Sequence, residues 1–243
     1  MKISKYIYFI IQVLSSIVSF ILRGSKSHEV DFFPVVNNYL PIINNLVKDK
    51  SVLNLGCCET SVVFSVNKLE ISNDRYWFHR YLANQASYVF GIDIDSNEIS
   101  NMKNSGFNVE RYDLDTKIEI NTKYDVIVAH HVIEHISNIK NFLSTVKKCL
   151  NKDGIFILKV FNARSWSYDI SVDMRYLNGT DYFNPNHFVI HSPIPFINML
   201  NKNGISVESG SFVCYSKYSS LISLFNKTKA DDFLLICRLT SDI

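Results

Sequence analysis

Ser51-Val52-Leu53-Asn54-Leu55-Gly56-Cys57-Cys58-Glu59-Thr60 is the stretch on which the fold turns. Val52, Leu53 and Leu55 make a short buried strand, and Gly56 supplies a residue that can take positive φ where the strand ends. A strand running into a glycine turn is how an α/β sheet presents its ligand-binding edge. Three later apolar runs end in residues of similar promise. Tyr88-Val89-Phe90-Gly91-Ile92 runs into Asp93-Ile94-Asp95, residues 107–111 run into Tyr112-Asp113-Leu114, and residues 124–129 run into His130.

The rest of the chain alternates with these runs. Helices are expected over residues 28–50, with Pro34 and Pro41 as start and break. Others are expected over 75–85 behind an Ser72-Asn73-Asp74 cap, over 96–104 with Ser96 as cap and Gly106 as stop, over 137–150, and over 192–202. Phe142, Leu143, Val146 and Leu150 give the fourth of these a clear apolar face. Further strands are expected at 155–160, after the turn Asn151-Lys152-Asp153-Gly154, and at 205–215 and 232–239, the last two separated by a polar loop. Near-continuously apolar strands alternating with helices imply a mostly parallel, doubly wound α/β sheet with helices on both faces. With no helix foreseen between the last two strands, the sheet should end in an antiparallel hairpin.

Composition narrows the class. The 243 residues are 47% hydrophobic and 20% charged, which excludes a disordered chain. A net charge of +2 on scattered Lys and Arg gives no nucleic-acid footprint. The five cysteines have no metal-ligand spacing and leave one unpaired, and Cys57 and Cys58 are adjacent, a pattern suited to a reducing compartment. Residues 6–22 are almost wholly apolar, yet at about 1.5 Å per residue they fall short of a bilayer core of about 30 Å. Lys5, Gln12, Ser16, Ser19, Arg23 and Lys26 fall on one narrow helical stripe. That pattern favours an amphipathic helix at a membrane surface over a span or a docked helix. Residues 1–27 are therefore read as a membrane-associated appendage, and 28–243 as one domain, cytoplasmic and peripheral or anchored at the cytoplasmic face of a membrane.

In a doubly wound sheet the carboxyl ends of the strands open on one crevice. Asp93 is placed to accept both hydroxyls of a ribose, since a carboxylate is acceptor-only with room for two donors. Asp113 and Leu114 can meet an adenine through a carboxylate and a backbone N–H. Gly56 leaves room for a tail or phosphate beside the backbone.

These motifs, Val-Leu-Asn-Leu-Gly-Cys, Val-Phe-Gly-Ile-Asp-Ile-Asp, Tyr-Asp-Leu and above all Tyr124-Asp-Val-Ile-Val-Ala-His-His-Val-Ile-Glu-His-Ile136, resemble the class I S-adenosylmethionine-dependent methyltransferases over about residues 52–207. The likeness is to the branch acting on small molecules and cell-surface polymers, with Glu-His in the fourth motif. It implies a seven-stranded Rossmann-like sheet and S-adenosyl-L-methionine held by Asn54, Gly56, Cys57, Asp93, Ile94, Asp113, Leu114 and His130. It also implies methyl transfer to a nucleophile, here expected to be an oxygen, less readily a nitrogen, of a small molecule, lipid-linked saccharide or glycan; the placing of that acceptor near a membrane rests on the N-terminal helix alone. Glu134, His135 and His187 become the candidate catalytic residues, with His135 or His187 as the base. Asn54, Cys58 and Thr60 depart from the family pattern, which has Asp and two glycines there. A non-catalytic cofactor-binding domain and a nicotinamide-dependent oxidoreductase are the competing readings.

Two further patterns compete for the histidines. His131-Val-Ile-Glu134-His135 matches an inverted zinc-protease motif, but it begins at a strand end rather than on a helix. A divalent ion on His131, Glu134, His135 and His187 is the other alternative. Trp166, Tyr168, Tyr176, Tyr182 and Phe183 are expected to wall the acceptor.

Overall fold

A computed structural model describes residues 29–58, 76–168 and 187–240, together with Ile10, Ile11, Val13 and Leu14. Eight strands form one sheet in the order β1-β7-β8-β6-β5-β2-β3-β4. The strands are β1 (Val35–Val36), β2 (Ser51–Leu55), β3 (Tyr88–Asp93), β4 (Val109–Arg111), β5 (Tyr124–His130), β6 (Leu150–Phe161), β7 (Ile205–Val213) and β8 (Asp232–Leu239). All neighbours run parallel except β8, which is antiparallel to both β6 and β7. The seven expected strands are present, and β1 is a two-residue addition at the β7 edge.

Three local expectations change. Residues 28–50 do not form one helix: a 3-10 turn at Glu29–Phe32 and strand β1 come first, and α1 (Leu40–Val47) carries Pro41 in its first turn instead of being broken by it. Pro34 disfavours helical backbone in the residue before it, and Val35-Val36 gains strand hydrogen bonds beside β7 instead. The connection from β7 to β8 is not a plain polar loop but carries α6 (Lys217–Phe225), closed by a capping box between Ser216 and Ser219. Asn151 to Gly154 bulges within β6 rather than preceding it. The predicted Ser72-Asn73-Asp74 cap lies outside the described residues; α2 is described as Trp77–Gln85. The other helices are α3 (Ser96–Asn104), capped by Asp95 rather than Ser96, α4 (Ile139–Cys149), capped by Asn138, and α5 (Pro193–Lys202).

Strand alternation divides the core between the two faces. Leu53, Leu55, Ile127, Ala129, Leu158 and Phe156 pack with Phe142, Val146 and Phe196 of α4 and α5. Val52, Val126, Val128 and Ile157 pack on the other face with Ile43, Val47, Phe78 and Leu82 of α1 and α2. Asn54 has the parity of Val52 and so faces α2. The strand order switches between the parallel neighbours β2 and β5, the place where an open α/β sheet opens its crevice.

Gly56 sits at that switch with φ +68°, and a Cβ there would lie 2.2 Å from Val132 Cγ2. The close approach that glycine permits is thus to the buried start of the β5 loop as well as to any ligand. Gly56→Ala combines a left-handed non-glycine residue with overpacking, and should destabilise the protein by about 2–4 kcal/mol. Urea unfolding monitored by circular dichroism reads this; an unchanged midpoint would mean the loop moves aside freely.

Candidate active site

The first motif is organised by backbone hydrogen bonds. The Gly56 and Cys57 N–H groups donate to the Ile92 carbonyl at 2.8 and 3.1 Å, tying the end of β2 to β3. The Cys58 N–H donates to Asp93 Oδ2 at 2.9 Å and the Asp95 N–H to Oδ1 at 3.1 Å. Asp93 is therefore fixed in direction while each oxygen retains a lone pair for a hydroxyl donor, which fits the ribose of a nucleoside. Burial raises its pKa despite these donors. Ile94 follows it, largely exposed, as an apolar surface beside the crevice. Asp113 is half-buried, its Oδ1 accepting from the Asp115 N–H at 2.9 Å, with Leu114 buried behind it. Asp115 in turn accepts from the Ser137 and Asn138 N–H groups, both at 2.8 Å, locking this turn to the start of α4.

Asn54 does not reach the crevice as a charge substitute. Its Nδ2 donates to His79 Nδ1 of α2 at 3.1 Å, and its Oδ1 is buried without a partner. Burial, helped by Arg80, lowers the His79 pKa to about 4, so its ring is neutral and Nδ1 accepts. Thr60 lies outside the described residues.

Asn54 is the first of a row. On the α1/α2 face, the carboxyl-edge residue of each central strand is polar: Asn54 on β2, His130 on β5, Lys159 on β6 and Asp232 on β8. His130 Nε2 is 2.7 Å from the Tyr39 hydroxyl and its ring stacks on Phe78 at 4.2 Å. Burial, Lys159 and His131 hold its pKa well below the ordinary imidazole value, so it is neutral. Next in the row, Lys159 and Asp232 are both fully buried and form an ion pair at 2.5 Å. The Tyr215 hydroxyl also hydrogen-bonds Asp232, and the ammonium lies 4.8 Å from the Tyr39 ring centroid.

His131 is where this buried row reaches solvent. It is one of two non-glycine residues with positive φ among those described, at 54°. Its side chain is 33% exposed. Nε2 contacts Lys159 and lies 3.0 Å from Asp232 Oδ2, and Nδ1 lies 3.6 Å from Glu134 Oε1. Burial and the Lys159 ammonium oppose its protonation, but Asp232 and Glu134 prevail and raise its pKa from 6.5 to about 9. The charge count explains the outcome: two carboxylates and one ammonium leave a deficit that an imidazolium neutralises.

The three predicted catalytic residues lie together, but not as equals. Glu134 is buried, its Oε1 accepting from the Phe161 N–H at 2.5 Å, and its backbone carbonyl accepts from the Phe188 N–H at 2.8 Å. It braces the end of β6 and residues 187–189. The His135 and His187 rings meet edge to face at 4.7 Å, with His135 exposed. Burial, then His135, lowers the His187 pKa. A cavity of about 370 Å³ is lined by Ile136 and Val189, close in sequence to this pair, and by Ile133, His191, Phe196 and Met199 among others, but not by His135 or His187 themselves. Of the expected acceptor wall, Trp166 packs on Tyr218 and Tyr168 on Phe161; Tyr176, Tyr182 and Phe183 lie outside the described residues.

The His131-x-x-Glu-His135 run forms a 3-10 turn at Ile133–His135, not the helix a zinc protease needs. Among the described residues, His131, Glu134, His135 and His187 do not bring their ligand atoms to one point; only Cys57, Cys58 and Asp93 do so. Sequence reasoning missed Lys159, Asp232, Tyr215, Tyr39 and His79. A lysine inside the apolar run Ile155-Phe-Ile-Leu-Lys-Val-Phe161 and an aspartate opening Asp232-Phe-Leu-Leu-Ile-Cys237 were the available signals.

Lys159→Met leaves Asp232 buried without its ammonium and should cost about 3–5 kcal/mol in urea unfolding. For His131, a folded pKa of about 9 above the ordinary 6.5 means its stabilisation is complete below 6.5 and is lost as pH rises through 9. The melting temperature should fall across that window, and His131→Gln should flatten that part of the curve. Parallel curves for the two proteins would overturn the charge assignment.

Residues 35–209 match the methyltransferase domain family. No curated protein gives a significant sequence match. Among solved structures, an S-adenosylmethionine-dependent methyltransferase from Mesorhizobium loti is 18% identical with TM-score 0.56, covering 82% of this chain and 95% of its own. The YcgJ protein from Bacillus subtilis is 13% identical with TM-score 0.54, covering 84% and 98%. A TehB-like S-adenosylmethionine-dependent methyltransferase from Corynebacterium glutamicum is 14% identical with TM-score 0.51, covering 83% and 87%. The family match over most of the chain, joined to this sheet order, removes the oxidoreductase reading: the chain belongs to the methyltransferase domain family and is a class I S-adenosylmethionine-dependent methyltransferase.

Proposed function

We propose that the protein methylates an oxygen, with nitrogen as the lesser alternative, of a small molecule, lipid-linked saccharide or glycan at a membrane surface. The observation that carries the oxygen reading is the tether of residues 188 and 189 to the Glu134 carbonyl, which sets His187 edge-on to His135, both close in sequence to residues that line an apolar cavity. A hydroxyl acceptor has a proton to lose, and a neutral imidazole is the side chain that takes it near neutral pH.

The bound cofactor supplies an electrophilic methyl on a sulfonium. What remains for the chain is binding, orientation and one proton transfer. Asp93 and Asp113, with Leu114 and Ile94, hold the nucleoside. Gly56 and Cys57 line the approach to the methionine portion, and Asn54 acts indirectly by fixing α2 through His79. His130, committed to Tyr39 and Phe78, shapes the crevice from behind. His187 is the base, because burial and His135 lower its pKa and keep it unprotonated. His135 orients it, and Glu134 braces both. His131, held as a cation, favours an acceptor oxygen that gains negative charge as its proton leaves.

The membrane part rests on the apolar amphipathic stripe of residues 5–26 and on Ile10, Ile11 and Leu14, which are helical with relative exposures of 55, 50 and 56%. Among the described residues no helix is long and apolar enough to cross a membrane. The stripe is what supports a helix lying in the interface. The proposal places the enzyme on the cytoplasmic side and peripheral to the membrane, a placement supported by five thiols that are all free.

His187→Gln should lower kcat by about 10²–10⁴ while leaving S-adenosylhomocysteine affinity in calorimetry unchanged. An unaltered kcat, with membrane extract as acceptor source, would remove His187 as base. Deleting residues 1–26 should move the protein from the membrane pellet to the supernatant. Full-length protein already in the supernatant would end the interfacial-helix reading.

A further inference from the structure

Cys57 and Cys58 offer nothing as a metal motif in sequence, being adjacent on a turn. The fold gives them a third partner. Beyond Gly56 both side chains are buried with Ile99, Met102 and Val109, against α3. Asp93 arrives from the end of β3, fixed by the Cys58 and Asp95 N–H groups. The two sulfurs and one carboxylate oxygen all lie within 4.8 Å of one another. Cys58 Sγ is also 3.5 Å from the Met102 thioether, a soft fourth donor.

We propose that Cys57, Cys58 and Asp93 form a binding site for one thiophilic divalent cation of the zinc and cadmium class, and that its occupancy excludes the cofactor. The exclusion rests on the reading that Asp93 holds the cofactor ribose. The donor set decides the ion. Two thiolates and a carboxylate suit zinc or cadmium and not magnesium or calcium, which take oxygen ligands. On a tetrahedral zinc ion such ligands stand roughly 3.3–3.8 Å apart, a contraction that χ1 rotation of the cysteines can supply.

Local electrostatics favour a cation. The Cys57 hydrogen bond, burial, and the Asp93 and Asp95 carboxylates all push the Cys58 thiol pKa up, because a thiolate there would join existing negative charge in a dry site. A divalent ion reverses both penalties. Its uptake converts two thiols to thiolates and releases two protons. It also takes the Asp93 lone pairs that a ribose would use, so ion and nucleoside compete for one carboxylate. Cys149, Cys214 and Cys237 are buried elsewhere and serve as internal controls.

Reduced, metal-free, full-length protein titrated with cadmium should show thiolate-to-cadmium absorption saturating at one ion per chain, with zinc competing. The signal should vanish in the Cys57→Ser/Cys58→Ser double variant, whose fold is checked by circular dichroism. Independently of any variant, bound ion should slow iodoacetamide alkylation of Cys57 and Cys58 by roughly tenfold or more, and leave the other three cysteines unchanged. Saturating ion should weaken S-adenosylhomocysteine binding by at least roughly tenfold. Undiminished uptake by the double variant, or no protection in the parent protein, overturns the site. If the ion binds at these cysteines and the nucleoside affinity is unmoved, the exclusion is overturned. Asp93→Ala then separates the causes: retained nucleoside affinity moves the ribose elsewhere, and lost affinity leaves the crevice intact.

Discussion

The pair Lys159–Asp232 is the constraint around which the carboxyl edge is built. Two charges removed from water lose several kcal/mol of hydration each, and only close geometry with further donors recovers it. Here the recovery is thorough. Asp232 meets the Lys159 ammonium, the Tyr215 hydroxyl and the His131 imidazole, while the ammonium also faces the Tyr39 ring. Because Lys159 is on β6 and Asp232 opens β8, the pair pins the antiparallel strand to the parallel half of the sheet at the site. Removing either charge would disturb the strand seam and the position of His131 together.

Much of this architecture was legible in the sequence, and the exceptions share a cause. Val52 to Gly56, the acids after β3 and β4, and the Glu-His turn after β5 were readable because strand ends in a doubly wound sheet converge on one edge. Period and punctuation then suffice. Lys159 and Asp232 were not readable, because a charged residue in an apolar run has no local partner to announce it; the partner is 73 residues away. The α6 helix hid behind a serine-rich run whose capping box depends on Ser216 and Ser219 facing one another. The 28–50 segment failed for the opposite reason: its apolar spacing suits a helix, but strand pairing with β7 outcompetes it over Val35 and Val36.

Asn54 shows how a departure from a family pattern can be misjudged in sequence. On paper the change reads as the loss of the carboxylate that the family pattern has there. In the fold, Asn54 faces α2 and is committed to His79, whose lowered pKa keeps the ring an acceptor. A carboxylate there would face a buried neutral ring, and would need His79 protonated against its burial. Asparagine and a neutral histidine are thus a matched pair, and the departure is internally consistent.

The same logic separates the two histidines on either side of Glu134. His131 and His187 both approach Glu134, yet their pKa values are pushed apart, one up to about 9 and the other below its ordinary value. The difference lies in what stands behind each. His131 is backed by the Asp232 carboxylate as well as Glu134, so protonation relieves a negative excess. For His187, burial and the neighbouring His135 outweigh the Glu134 carboxylate, so protonation is disfavoured. Environments that split like groups in this way hold one as a cation and leave the other neutral near neutral pH. The split requires Asp232 to stay ionised inside the protein, which requires Lys159. The buried pair on the far side of the strand end thereby sets which of the two imidazoles is held as a cation.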